Sequence, residues 1–282
     1  MNNGKQEPWL IKDKSNSPKL NGALHFFPSE LRQGLLKIPQ DLQLKLIEIR
    51  LRTNQPLELN FGSTDSFITI KGDLTGKTEE ALVINADTFR KTFNAFTTGS
   101  FYALEEELTQ GYLALPGGHR IGITGQVFYN GASIRLISNI SSINFRIARS
   151  IRGIARPLLP YLWKEGRFLK TLIIGPPATG KTTLLREIIR EISSGVPLLG
   201  ISGIHVGLVD ERSEIAGSYQ GIPQLDVGLR TDVLDGCSKR DGVYLLLRAM
   251  NPQLIATDEI GREDDFRVIE DIINAGVSFL AT

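Results

Sequence analysis

The chain has 282 residues, 41% of them hydrophobic, 22% charged and 7% aromatic, which excludes a disordered or fibrous protein and allows one large domain or two of ordinary size. Lys and Arg number 32 against 31 Asp and Glu, a net charge of +1, so no global field draws the protein to DNA or to an anionic membrane. A single cysteine, Cys237, excludes an internal disulfide and a cysteine-rich metal site and fits a reducing interior.

Residues 1–22 are polar, lack the apolar core and cleavage site of a secretory signal, and read as a mobile tail. The longest apolar run, 196–209, is broken by Pro197, His205 and several glycines and is too short to span a bilayer, so the chain reads as a soluble cytoplasmic protein. From residue 28 apolar and charged residues alternate at helical spacing, turning strand-like over 46–51, with short strands predicted over 57–61 and 66–70. Asp87 is the expected N-cap of a helix over 88–96, and a further helix runs through 102–107. Residues 111–137 set glycines among β-branched and aromatic residues, the pattern of hairpins with tight turns, and 143–149 put Ile143, Phe145 and Ile147 on one strand face. These elements predict an α+β domain over 23–152, followed by a linker over 153–166 that carries Pro157 and Pro160.

Beyond residue 167 the texture becomes strand, glycine loop, helix. A β-branched strand is predicted over 168–174, and a helix over 182–193 places Leu184, Leu185, Ile188, Ile189 and Ile192 on one stripe with Arg186, Glu187, Arg190 and Glu191 opposite. Strands over 205–211, 254–257 and 277–282 alternate with helices over 242–250 and 263–274, which predicts an α/β core over 167–282 with a parallel sheet and helices on both faces.

Residues 175–183, GPPATGKTT, satisfy the phosphate-loop pattern G-x-x-x-x-G-K-[ST]. Gly175 and Gly180 let the backbone curl so that the available N–H groups face inward toward a polyphosphate at a helix N-terminus, and the loop Gly175, Pro176, Pro177, Ala178, Thr179, Gly180, Lys181, Thr182 and Thr183 is the expected nucleotide-binding segment. Lys181 would reach the β- and γ-phosphates, and the Thr182 hydroxyl would coordinate Mg²⁺. Composition alone produces those fixed positions in roughly one chain in a hundred of this length, and a strand before and helix after narrow the chance further. The apolar strand 254–257 ends in Asp258-Glu259, the expected Walker B: Asp258 holds the metal, while Glu259 polarises the attacking water as general base. That glutamate argues for ATP hydrolysis over transfer to a small acceptor, and Lys181 and Glu259 are the expected catalytic pair.

Asp210-Glu211-Arg212 closes another strand, where a parallel sheet faces its ligand; a surface ion pair is the alternative reading. Arg146, Arg149, Arg152 and Arg156 recur every three or four residues and read either as a charge row or as the source of an arginine finger for a neighbouring subunit. His25, His119 and His205 share no metal-ligand spacing.

With these motifs in place the chain resembles the sporulation ATPases of the type II and type IV secretion ATPase superfamily. The segments that carry the resemblance include EIRLRTNQPLEL (48–59), LPGGHRIGITG (115–125), GPPATGKTTLLRE (175–187), VDERSEIAG (209–217), DVGLRTDVLDGCSK (226–239) and MNPQLIATDEIG (250–261). The resemblance implies a RecA-like ATPase that uses ATP and Mg²⁺. It also implies a homo-oligomeric ring, a hexamer, on the inner face of a membrane, working on channel proteins of a sporulation complex between mother cell and forespore. It places Glu211 and Arg212 near the nucleotide, and it implies that the final strand inserts between the P-loop strand and the Walker B strand. Members continue with a histidine-containing segment beyond this point, so the resemblance implies a truncated chain or a shortened paralogue, with ATP binding but weak hydrolysis, or incomplete folding, as the expectation. Two other readings remain open: a nucleic-acid-dependent RecA-like ATPase, disfavoured by neutral charge and few aromatics, and an ATP-binding scaffold without turnover.

Overall fold

Alternating side chains build the first sheet. A computed structural model describes residues 20–97, 108–109, 111–177 and 179–282; most of the polar tail, the helix expected over 102–107 and Ala178 lie outside the described residues. The described chain divides between Arg149 and Ser150 into two units. In the first, strands β1 (Glu48–Arg52), β2 (Glu58–Asn60), β3 (Asp65–Ile68), β4 (Leu74–Thr75), β5 (Tyr112–Leu115), β6 (His119–Asn130) and β7 (Ser133–Arg146) form an antiparallel sheet ordered β4-β3-β2-β1-β7-β6-β5. Ile49 and Leu51, Ile121 and Ile123, and Ile143 and Phe145 are buried at every second position, so one face of the sheet is the core. Helices α1 (Ser29–Leu36) and α2 (Ala86–Thr97) supply Leu31, Leu35, Phe89 and Phe96 to it. The Phe27, Phe96 and Phe145 rings meet with centroids 5.0 to 5.6 Å apart.

Two local expectations are corrected. Helix α2 starts at Ala86, and its cap is Asn85, whose Oδ1 accepts the Thr88 amide at 2.8 Å; Asp87 lies inside the first turn, paired with Arg90 and Lys91. Strand β7 begins at Ser133, ten residues before the strand expected from its inward apolar face, because it pairs β6 across a two-residue Gly131–Ala132 turn.

In the second unit β8 (Thr171–Leu172), β9 (Val206–Asp210), β10 (Thr231–Asp235), β11 (Leu254–Thr257) and β12 (Ser278–Ala281) form a parallel sheet ordered β8-β12-β11-β9-β10. Helix α3 (Lys181–Ser194) packs Leu185, Ile188, Ile189 and Ile192 with Val206, Leu208, Leu254, Ala256 and Leu280. Helices α4 (Lys239–Ala249) and α5 (Glu263–Asn274) join Val209 and Ile255 in a separate cluster through Val243, Leu246, Val268 and Ile272. Odd and even strand positions thus face different helices, as a parallel sheet covered on both sides requires.

Four differences from the sequence reading have physical causes. The P-loop strand is shorter than 168–174, because Phe168 belongs to a separate hairpin with Trp163, although the Ile173 amide still donates to Ala281 O. Strand β10 was not anticipated; as a half-exposed strand carrying Asp232 and Asp235 it shows no apolar run. Residues 153–166 do not stand apart as a linker, since Ala155 and Leu159 are fully buried in the second core. The face of α3 bearing Arg186, Glu187, Arg190 and Glu191 is not solvated: residues from the 150s cover it, Arg156 meeting Glu191 at 3.0 Å and the Gly153 amide donating to Glu187, while Arg190 donates to Glu187 at 2.8 Å.

Two glycines set how closely α4 approaches β9. A Cβ on Gly207 would lie 2.9 Å from Leu246 Cδ1, and one on Gly242 2.7 Å from Val209 Cγ1, so neither position accommodates a side chain without movement. No helix among the described residues is long and apolar enough to cross a membrane.

Candidate nucleotide site

Thr171, Leu280, Ala256, Leu208 and Val233 align in register across the five strands. The segments that leave those strands therefore emerge at one edge: the glycine loop after β8, Asp258-Glu259 after β11, Glu211-Arg212 after β9. Since β12 separates β8 from β11, the loop strand and the acidic strand are two strand spacings apart, about 10 Å.

Gly180, at φ +89°, is the N-cap of α3, a backbone conformation that suits glycine and turns the chain from loop to helix. No side chain caps the first turn, so its amides are available to an anion. Lys181 Nζ donates to the carbonyls of Gly175 at 3.0 Å and Pro176 at 2.9 Å, which folds the ammonium over the loop; Thr179 Oγ1 donates to Pro176 O at 2.8 Å. Gly175, Pro176, Pro177, Thr179 and Gly180 are exposed, and Lys181, Thr182 and Thr183 are half-buried where the helix begins.

Asp258 is buried, and its Oδ1 has no hydrogen-bond partner. Burial pushes its carboxyl up to about 6; Lys239 opposes the shift, and the charges of Asp210, Glu211 and Glu214 add to it. A hard oxygen donor held out of water without a proton donor fits a magnesium site, with the Thr182 hydroxyl as the complementary donor on α3. Glu259, by contrast, is exposed, and Arg212 Nη1 lies 3.4 Å from its Oε2. Glu211 accepts from Lys239 Nζ at 2.5 Å, and that ammonium stands 3.7 Å from Asp258 Oδ1. Glu211 and Arg212 thus each connect the end of β9 to the acidic pair after β11.

Three residues shape this edge: Asp210, which lies at the strand end expected to face a ligand, and Arg186 and Lys239, to which the sequence alone assigns no place at the site. Asp210 accepts the amides of Glu214 at 2.9 Å, Ile215 at 3.0 Å and Ala216 at 2.7 Å, which pins the turn after β9. Arg186 of α3 donates to the carbonyls of Ile215 and Glu214, tying the phosphate-loop helix to that turn; burial draws its pKa down to about 10. Lys239 occupies the first turn of α4, where the helix dipole disfavours a cation. A lysine directly after the N-cap Ser238 is the signal in the sequence: it needs nearby carboxylates to sit there.

The arginine row is occupied within each unit. Arg146 pairs with Glu48, Arg149 donates to Leu46 O, Arg152 meets Asp226 at 2.8 Å, and Arg156 meets Glu191. His119 is packed against Phe145 and accepts the Ala148 amide on Nδ1.

A parallel sheet with a strand inserted between the glycine-loop strand and the acidic strand, helices on both faces and a preceding α+β unit defines a RecA-like P-loop ATPase fold. Two solved structures share it: the ATPase DotB of Legionella pneumophila (TM-score 0.56, 16% identity, 92% of this chain and 66% of that one) and the pilus retraction motor PilT with bound ADP (TM-score 0.53, 15% identity, 90% and 66%). The chain therefore spans just under two thirds of each. Residues 19–282 match the family described as sporulation stage III, protein AA, and the chain belongs to that family. Stage III sporulation protein AA of Bacillus subtilis (strain 168) is 40% identical over 263 residues, 93% of this chain and 81% of that protein.

Proposed function

We propose that this member of the sporulation family is an ATP-hydrolysing, ring-forming motor. The observation that carries the reading is the placement of the GPPATGKTT loop and the Asp258-Glu259 pair at the same carboxyl edge of one parallel sheet. The α3 amides and Lys181 bind and orient the phosphates, Thr182 and Asp258 hold magnesium, and Glu259, exposed beyond Asp258, takes the proton of the attacking water. Bound magnesium would supply charge neutralisation for the β- and γ-phosphates. Glu211 and Arg212 respond to the nucleotide through Lys239 and Glu259.

The resemblance to secretion ATPases supports a homo-oligomeric ring, a hexamer, docked on the cytoplasmic face of a membrane channel between mother cell and forespore, with hydrolysis driving work on that channel. The test is sedimentation with and without a non-hydrolysable ATP analogue, paired with phosphate release. Analogue-dependent assembly with magnesium-dependent turnover supports the motor; assembly without turnover leaves a scaffold, and turnover only on added single-stranded nucleic acid leaves a nucleic-acid motor.

A further inference from the structure

The strongest unassigned feature is the buried ammonium of Lys239, held among carboxylates at the edge where the metal is proposed to sit. Its side chain is 10% exposed, it begins a helix against the dipole, and it touches carboxylates from two adjacent strand ends: Glu211 at 2.5 Å and Asp258 at 3.7 Å. The close approach of α4 to β9 at Gly207 and Gly242 brings it there, since Gly242 lies one turn further along the same helix face. The distances are unequal in an informative way. Glu211 takes a charge-assisted hydrogen bond, while Asp258 Oδ1 is near enough to feel the charge and keeps its lone pairs for another donor.

We propose that Lys239 is a positioning residue that sets the magnesium requirement of the site: its ammonium is a resident cation shared between Glu211 and Asp258, and Glu211 holds it back from Asp258. This inference rests on the nucleotide-site reading above. When magnesium binds Asp258 it meets the repulsion of an ammonium a few ångströms away. The strength of the Glu211 bond decides how strongly that ammonium competes.

The test is the magnesium concentration that gives half-maximal binding of a fluorescent ATP analogue, read at equilibrium without turnover, on the full chain. Lys239→Met should lower that concentration, roughly tenfold, by removing a nearby positive charge. Glu211→Gln should raise it, because the released ammonium moves to Asp258. The double variant should behave as Lys239→Met alone, since Glu211 acts through the lysine. Lys239→Arg keeps the charge, tests the same point if the methionine variant does not fold, and should retain a requirement close to that of the parent. An unchanged or raised requirement in Lys239→Met, a lowered one in Lys239→Arg, or a Glu211→Gln effect that persists in the double variant would overturn the proposal. A parent protein that binds no nucleotide at any magnesium concentration overturns the site reading itself, and is thereby distinguished from failure of the lysine's role alone.

Discussion

Arg212 Nη1 stands 3.4 Å from Glu259 Oε2, so the side chain proposed as general base is met by a cation from the neighbouring strand end. Both groups are largely solvated, and a pair of this kind contributes at most about 1 kcal/mol, so it orients Glu259 without locking it. Glu259→Gln keeps size and hydrogen bonding while removing the base. The expected result is loss of phosphate release by about a hundredfold or more with ATP affinity within a fewfold of the parent, measured by single-turnover kinetics and equilibrium binding. Equal loss of binding and turnover would remove Glu259 from the chemistry.

Burial of the Asp258 carboxyl makes stability depend on pH. Its folded-state pKa of about 6 lies above the ordinary carboxylate value, so the folded protein holds a proton more tightly than the unfolded chain. The stability linked to this group is fully present below about pH 4 and is lost as pH rises through about 6. Asp258→Asn should therefore stabilise the nucleotide-free protein at pH 8, by at most about 3 kcal/mol, and leave it unchanged at pH 4. Urea unfolding at the two pH values measures this, and the same variant should lose magnesium-dependent nucleotide binding.

Glu48 has the opposite sign. Burial alone would raise its carboxyl, but hydrogen bonds from Arg50 and Asn144 and the charges of Arg50 and Arg146 bring it below the usual range. Its contribution is present above about pH 4.5 and is lost as pH falls through the lowered folded value. Glu48→Gln should destabilise the first unit by about 1–3 kcal/mol at pH 7, with parent and variant converging in acid. A difference that stays constant with pH would show that the carboxylate charge is not what binds Arg50 and Arg146.

Gly242 is a packing constraint with a functional reach. A methyl group there overlaps Val209, so Gly242→Ala should cost about 1–3 kcal/mol in chemical denaturation although alanine is the better helix former. An exposed helical glycine would instead gain stability from the same change.

Much of this was legible because it is local. The glycine loop, the apolar strand before Asp258 and the amphipathic stripe of α3 are each contiguous, and their chemistry follows from spacing alone. What stayed hidden depends on partners distant in the chain. Strand β10 is a strand only because β9 pairs with it, Glu187 and Glu191 are buried only because residues from the 150s lie over them, and Lys239 matters because α4 comes close to β9. Asn85 in place of Asp87 is a smaller case, in which two adjacent capping types compete and the hydrogen bond to Thr88 decides.

The insertion of β12 between β8 and β11 bears on synthesis as well as on the finished sheet. The phosphate loop leaves the ribosome roughly a hundred residues before β12 does, yet no ladder joins β8 to β11 until that segment slides between them. A nascent chain thus carries the glycine loop long before β8 and β11, the two strands that present the loop and the acidic pair, belong to one sheet.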